Sequence, residues 1–406
     1  MYVRMFLLAC TLAPIQFADA NRVTFDDVQP ILNANCVECH QPAGSDIMGM
    51  VAPMPLRTFD EVRPWAKAIA RAVETRRMPP WHAAPEFHGV FRNERRLTEE
   101  EIATITQWAA SNAPRGTMDD TSTVPGQPRG WTIGEPDLVV PFEEPYWIAD
   151  WVEDLYANIY VDITEEMMPE DRWIRSMQCM PGSEAVHHVV VYTDDYRESL
   201  GFPMAMLGGV GPGTDATEFP DGFGRFLGKG TGLMFNMHYH KEPGPGTGLW
   251  DNSAIAFVFQ DKPVRHEVNW GAVGTMSFVI PPFAANHEVV AEHTFRRETI
   301  LLALFPHTHL RGKASKYTAY YPDGREEVLL HVPEYDFNWQ TNYIYREPKR
   351  IPANTRIKVQ MWYDNSEERA ERAGIDPSRS VYWGEPTTSE MMYGWMDYTD
   401  AKSLKN

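Results

Sequence analysis

Apolar positions recur along this chain with two different periods, and the change from one to the other divides it. Residues 23–115 follow a helical spacing. Thr24 precedes a first predicted helix, 24–34, with acids in its first turn. Thr58-Phe59-Asp60-Glu61 is a capping box, in which Thr and Glu each satisfy the other's backbone N–H, and it opens a helix to about Arg77. Thr98-Glu99-Glu100-Glu101 repeats the device before Ile102, Ile105, Trp108 and Ala109, which share one helix face. From 113 to 137 both periods fail. Pro114, Gly116, Pro125, Gly126, Pro128, Gly130 and Pro136 predict a linker.

Beyond the linker the pattern is that of strands. Runs at 138–142, 156–163, 185–193, 232–238 and 254–260 form one set. Runs at 267–272, 300–309, 317–321, 327–332 and 356–363 form a second, with Pro322-Asp323-Gly324 as a hairpin turn. Many short strands between Gly and Pro turns predict antiparallel sandwiches, and this stretch is too long for one small sandwich. The expected architecture is therefore a small all-α domain followed by two antiparallel β-sandwich (jelly-roll) domains. The expected boundaries are 1–20 for an export signal, 21–113 for the helical domain, 114–137 for the linker, and 138–262 and 263–406 for the sandwiches.

Composition narrows the function. Aromatic residues make up 12% of the 406 residues, 13 of them Trp, which excludes a disordered chain. A formal net charge of −19 argues against nucleic acid and anionic membrane surfaces as partners. Arg4, the mostly apolar run Met5 to Phe17 and Ala18-Asp19-Ala20 read as an export signal with a small-x-small cleavage site. Leu7-Leu8-Ala9-Cys10 is a competing lipoprotein cleavage site, but it leaves an apolar run shorter than such signals use. No other run is long and apolar enough to span a bilayer. The expectation is a periplasmic or secreted protein that is not integral to a membrane.

Cys36-Val37-Glu38-Cys39-His40 lies between the first two predicted helices. C-x-x-C-H is the attachment signature of one covalent haem c: both thiols form thioethers and His40 is the proximal iron ligand. A redox dithiol would not need His40, and no second C-x-x-C exists to complete a zinc site. Met78 is the candidate sixth ligand, with Met48, Met50 and Met54 as rivals and His82 as an alternative. Over residues 21–113 the chain resembles a single-haem cytochrome c domain.

Three histidine clusters fall on strand-like runs: His187-His188, His238-Tyr239-His240 and His307-Thr308-His309. Residues two apart on a strand share a face, so His307 and His309 can converge on one metal. A lone H-x-H also fits two surface histidines at a strand end. Glu390-Met391-Met392 follows near the end of the chain. A thioether beside imidazoles selects a soft ion, notably Cu(I). From about Trp131 onward these residues resemble the copper type II, ascorbate-dependent monooxygenases, the group of the peptidylglycine α-hydroxylating and dopamine β-monooxygenases. The resemblance implies two tandem jelly rolls and two coppers. It places the electron-transfer copper on His187, His188 and His238, and the catalytic, oxygen-binding copper on His307, His309 and Met391. Adjacent residues on a regular strand face opposite ways, so His187 and His188 can share a metal only if the strand is irregular or they use different ring nitrogens. His240 is a possible substitute for His238.

The chain departs from that family at Phe305, Tyr393 and Trp395, where the peptide-hydroxylating enzyme places the polar residues that grip its substrate. An aromatic pocket for a small-molecule substrate is expected instead. Cys179 has soft neighbours and is expected to be a buried, inert thiol. His88, His266, His287, His293 and His331 belong to no constellation. The expected function is hydroxylation of a substrate C–H with O2, with electrons entering through the haem from an ascorbate-like reductant or a periplasmic redox protein. The alternatives are a non-catalytic electron-transfer or copper-binding protein and, more weakly, a hydrolytic zinc protein, to which a Met ligand is foreign.

Overall fold

The computed structural model describes residues 22–41, 54–117, 130–194, 206–211 and 216–402. The expected export signal with Cys10, the rival ligands Met48 and Met50, and positions 118–129 of the expected linker lie outside the described residues.

Helices begin where the capping residues stand. Phe25–Asn35 starts after Thr24, whose N–H donates to the Asp27 carboxylate at 2.8 Å. The helix expected to reach Arg77 is interrupted: Phe59–Val62 passes through the 3-10 turn Arg63–Trp65 into Ala66–Glu74. Pro64 has no N–H to give to the preceding turn and its ring crowds it, so the regular ladder cannot run through. Glu99–Ala110 follows its capping box. These helices close over Phe25, Leu32, Ile69, Ile105 and Trp108.

Each predicted strand overlaps an observed one, but several strands went unpredicted. Arg172–Met180, His287–Phe295, Tyr343–Ile351 and Tyr393–Asp400 carry charges or a proline among their apolar positions, which masks the alternation. Four larger sheets result. The first runs Leu138–Pro141, Ala254–Phe259, Arg172–Met180, Phe223–Leu227, His266–Glu267, with Thr217–Glu218 added to Arg172–Met180; the second runs Asp154–Asp162, Gly232–His240, Val186–Thr193, Met206–Val210. The third runs Asn269–Gly274, Tyr393–Asp400, Thr299–His307, Tyr343–Ile351; the fourth runs His287–Phe295, Thr355–Tyr363, Gly312–Tyr320, Glu326–Val332. The first two sheets share a core containing Ile174, Phe257, Val189 and Phe235. The last two share one containing Leu304, Met396, Tyr317 and Val359.

This corrects the expected fold class. The protein is not a small all-α domain followed by two jelly rolls: strand makes up 40% and helix 14% of the described residues, and the sheets take a four-bladed, propeller-like arrangement. The elements the sequence assigned to separate units also share cores. Ala83, Ala84, Phe87 and Phe91, from the helical stretch, are buried among the last two sheets, where the Arg92 N–H donates to the Ile344 carbonyl at 2.8 Å. Leu302 is buried among the first two sheets. His266–Glu267 pairs in parallel with Phe223 and Gly224, across the predicted division between 262 and 263. A buried ion pair, Arg225 with Asp397, crosses the same division. Local periodicity recognises strands, but which edges join depends on side chains far apart in sequence.

Candidate functional site

The strand Val186–Thr193 is irregular where the metal hypothesis needs it to be. Val186 lies opposite Tyr239 and His188 opposite His238, so His187 is an extra residue, a bulge that turns it toward the side of its neighbour. His187 Nδ1 stands 3.2 Å from His188 Nδ1, which stands 3.4 Å from His238 Nδ1. Each histidine can offer one ring nitrogen such that all three lie within 4.8 Å of one another. Nitrogen lone pairs this close repel unless a proton or a cation lies among them. The His238 Nε2–H donates to Asp154 Oδ1 at 2.9 Å, which fixes the tautomer and leaves Nδ1 as the lone pair facing the cluster. Tyr156 lies flat on the His238 ring at 4.3 Å. His240 shares the same Asp154 oxygen at 3.2 Å, but its ring is 52% exposed.

Electrostatics keep the cluster in its ligating form. Burial, and then the neighbouring His238 and His240, push His187 down to about 4, although Asp154 opposes the shift. Burial holds His188 well below the ordinary imidazole range, and His238, His187, His307 and His309 add to that. Neutral imidazoles at pH 7 carry the lone pairs a metal requires.

The second group is assembled differently from the expectation. The strand ends at His307, so strand alternation does not present His309. A tight turn does. Buried Glu390 accepts the backbone N–H of His309 at 2.8 Å and that of Arg311 at 2.6 Å. Gly312 closes the turn: a Cβ there would stand 1.8 Å from Thr308 Oγ1, so no other residue fits without rebuilding it. The His307 Nδ1–H donates to Gln340 Oε1 at 2.7 Å and the His309 Nδ1–H to the Ser389 carbonyl at 3.2 Å. Both rings therefore keep Nε2 as the lone pair, and their centroids are 5.3 Å apart. Burial, then His307, pushes His309 down to about 3; burial also lowers His307, against the Gln340 bond.

Met391 is half-buried, its carbonyl held by the Tyr363 hydroxyl at 2.7 Å. Its side chain joins Trp270, Phe305, Trp383, Tyr393 and Trp395. Met392 is fully buried in the core of the last two sheets. The aromatic cluster reaches the histidine pair through Phe305, 6.3 Å from His307 between ring centres. The two histidine groups face each other across Phe337, whose ring lies 6.4 Å from His187 and 5.9 Å from His309.

At the C-x-x-C-H motif, Cys36 and Cys39 are not joined in a disulfide. Burial, then Cys39 and Glu101, pushes the Cys36 thiol up to about 12, which does not suit a redox dithiol. The His40 Nδ1–H donates to the Met54 carbonyl at 3.0 Å, leaving Nε2 for an iron atom. The donors thus fit a covalent haem. Met78 follows the Ala66–Glu74 helix and is 41% exposed. Cys179 is buried among the first two sheets, where burial pushes its thiol up to about 12.

Sequence reasoning missed Asp154, Tyr156, Phe337 and Gln340. Asp154 and Tyr156 share one face of a strand and could have been found from that alternation. Phe337 and Gln340 lie in a loop with no motif. No family model matches this chain, and no curated protein matches it. Among solved structures, the infectious bursal disease virus VP2 subviral particle is similar at 11% identity and a TM-score of 0.18, over 64% of this chain and 70% of that one. The N-terminal CBM22-1-CBM22-2 tandem domain from Paenibacillus barcinonensis Xyn10C is similar at 11% identity and a TM-score of 0.14, over 66% of this chain and 98% of that one. Likeness this slight carries no argument, so the functional reading rests on the residues themselves.

Proposed function

We propose that this protein is a haem–copper monooxygenase that hydroxylates a substrate C–H with O2, with electrons entering at the Cys36/Cys39/His40 haem. The observation that carries this reading is the convergence of the His187, His188 and His238 Nδ1 atoms, with Asp154 fixing the tautomer of His238. The nitrogen donors His307 and His309, with the thioether of Met391 from the aromatic cluster that meets the pair through Phe305, would form a second and softer set, the donor chemistry that suits Cu(I). Copper bound at the two sets supplies the one-electron and oxygen chemistry.

The protein's own residues do the rest. Gln340 and Ser389 hold His307 and His309 in one tautomer each. Glu390 locks the turn that brings them together. Phe305, Trp270, Trp383, Tyr393 and Trp395 exclude water beside Met391 and form an apolar wall, which favours an uncharged small-molecule substrate. An open surface hollow reaches Trp383, lined by Met276, Ser277, Phe278, Val279 and Tyr382, with no charged side chain among them. The reductant is ascorbate-like or a periplasmic redox protein, and the protein is exported. Among the described residues no helix is long and apolar enough to cross a membrane.

The test is metal content with oxygen uptake. The purified full chain should carry two coppers and one covalent haem, and show O2 uptake that depends on substrate. His307→Ala should abolish that uptake while keeping the haem. Copper and haem without uptake, across a panel of small uncharged substrates, would point to a non-catalytic electron-transfer protein. Zinc in place of copper would overturn the reading.

A further inference from the structure

One loop borders both histidine groups and reaches the haem motif through Arg95. A turn around Asp336, whose carbonyl accepts the Trp339 N–H at 3.0 Å and whose carboxylate accepts the Asn338 N–H at 2.9 Å, presents Phe337, Trp339 and Gln340 in different directions. Toward the haem motif, the Arg95 guanidinium lies 5.9 Å from the centre of the Trp339 ring and reaches Cys39 Sγ at 3.8 Å. Toward the histidines, Gln340 receives His307 Nδ1–H at 2.7 Å and donates from Nε2 to the Phe337 carbonyl at 3.2 Å. Trp339 and Gln340 are covalent neighbours. An unbroken run of contacts therefore joins a thiol of the haem motif to an imidazole of the second metal set.

We propose that Arg95, Trp339 and Gln340 form the route by which single electrons pass from the haem site to His307. This rests on the proposed function. One electron leaves ferrous iron, which becomes ferric, and one arrives at cupric ion, which becomes cuprous. No bond forms or breaks, no proton moves, and Trp339 stays in its closed-shell state as a bridge. The electron originally comes from an external one-electron reductant. Trp339 is a positioning residue, since it touches neither metal set. The same loop places Phe337 between the two histidine groups, so an electron at His307 has a short onward path toward His187.

The experiment uses the full chain loaded with haem and copper, oxidised, without O2 or substrate. Pulse radiolysis with a nicotinamide radical delivers one electron to the haem. Haem absorbance should then decay as the cupric signal is lost, and should not decay in copper-free protein. Trp339→Ala should slow the decay, because removing the ring opens a gap between Arg95 and the loop. Haem and copper contents should stay unchanged. Trp339→Phe should keep most of the rate, and Asn338→Ala, in the same loop, should keep all of it. Trp339→Leu, which keeps apolar bulk without the ring, gives the same comparison should the alanine variant lose its loop. Unslowed decay in both Trp339→Ala and Trp339→Leu, with the wild type transferring, overturns the route and leaves the proposed function standing. No transfer in the loaded wild type overturns the reading that the haem feeds the copper sites, and the route with it.

Discussion

The Glu390 carboxylate accepts the His309 backbone N–H at 2.8 Å, and in doing so joins the stretch that carries Met391 to the turn that carries the histidine pair. It accepts the Arg311 N–H as well. Replacing Glu390 with Ala leaves two buried donors unsatisfied, at a cost of about 1–3 kcal/mol each. Thermal unfolding should shift accordingly. Copper at the His187/His188/His238 set should be retained while the second copper is lost. A variant that keeps both coppers and its melting temperature would show that the turn does not depend on this carboxylate.

Asp154 should tune the first copper set without binding it. Carboxylates that orient a ligating histidine typically contribute about 10- to 100-fold in metal affinity. Asp154→Asn should weaken copper at that set by this amount, measured by competition with a chelator. His240→Ala should not, because His240 shares the carboxylate but is held toward solvent. Equal losses in the two variants would make His240 a ligand.

The two neighbouring methionines should separate cleanly. Met391→Ala should remove the sulfur shell from X-ray absorption of the reduced protein, with a small effect on stability, since Met391 is only half-buried. Met392→Ala should keep the sulfur shell and cost about 2–5 kcal/mol, as for other methionines truncated in a core. The opposite pattern would move the ligand to Met392.

The haem motif makes its own prediction. Pyridine haemochrome spectra should show one covalent haem per chain, lost in Cys36→Ala/Cys39→Ala. Met78→Ala should remove any sulfur–iron charge-transfer band while keeping the haem attached. If the band persists, Met78 is not the axial ligand.

Stability of the metal-free protein should depend on pH in both directions. His187 at about 4 and His309 at about 3 lie below the unfolded imidazole value near 6.5. Between those values the unfolded chain binds more protons, so their contribution is present above about 6.5 and is lost as pH falls toward 4 and 3. Burial raises Glu390 to about 8, against the N–H donors of His309 and Arg311 and the Arg311 charge. The folded state holds its proton longer, so this contribution is lost as pH rises from about 4.5 through 8. The imidazoles outnumber Glu390 on the acid side, so urea unfolding should show a maximum near pH 6.5. Glu390→Gln should flatten the decline between about 6.5 and 8, and loaded copper should weaken the acid limb.

The sequence by itself determined the local facts. Capping boxes set where the helices begin, because a Thr and a Glu three residues apart satisfy N–H groups that nothing else can reach. Period-two runs marked strands that bury one face. Cys36, Cys39 and His40 stood out because their spacing is the one that suits haem attachment. His187, His188, His238, His307 and His309 stood out because imidazoles recur on strand-like runs, whereas Met391 was singled out by the family resemblance and not by its spacing.

Tertiary structure decided everything that depends on what meets what. The jelly-roll expectation failed because alternation says that a strand has a buried face, not which edge it joins or which sheet covers it. The bulge at His187 exists only against the register of Gly232–His240, and it brings adjacent side chains to one point. His309 reaches its partner through Glu390, 81 residues away, and not through strand periodicity. Gln340 and Phe337 carry no motif. They matter because their loop lands between groups more than a hundred residues apart in sequence, and contacts of that range leave no trace in the local pattern of the chain.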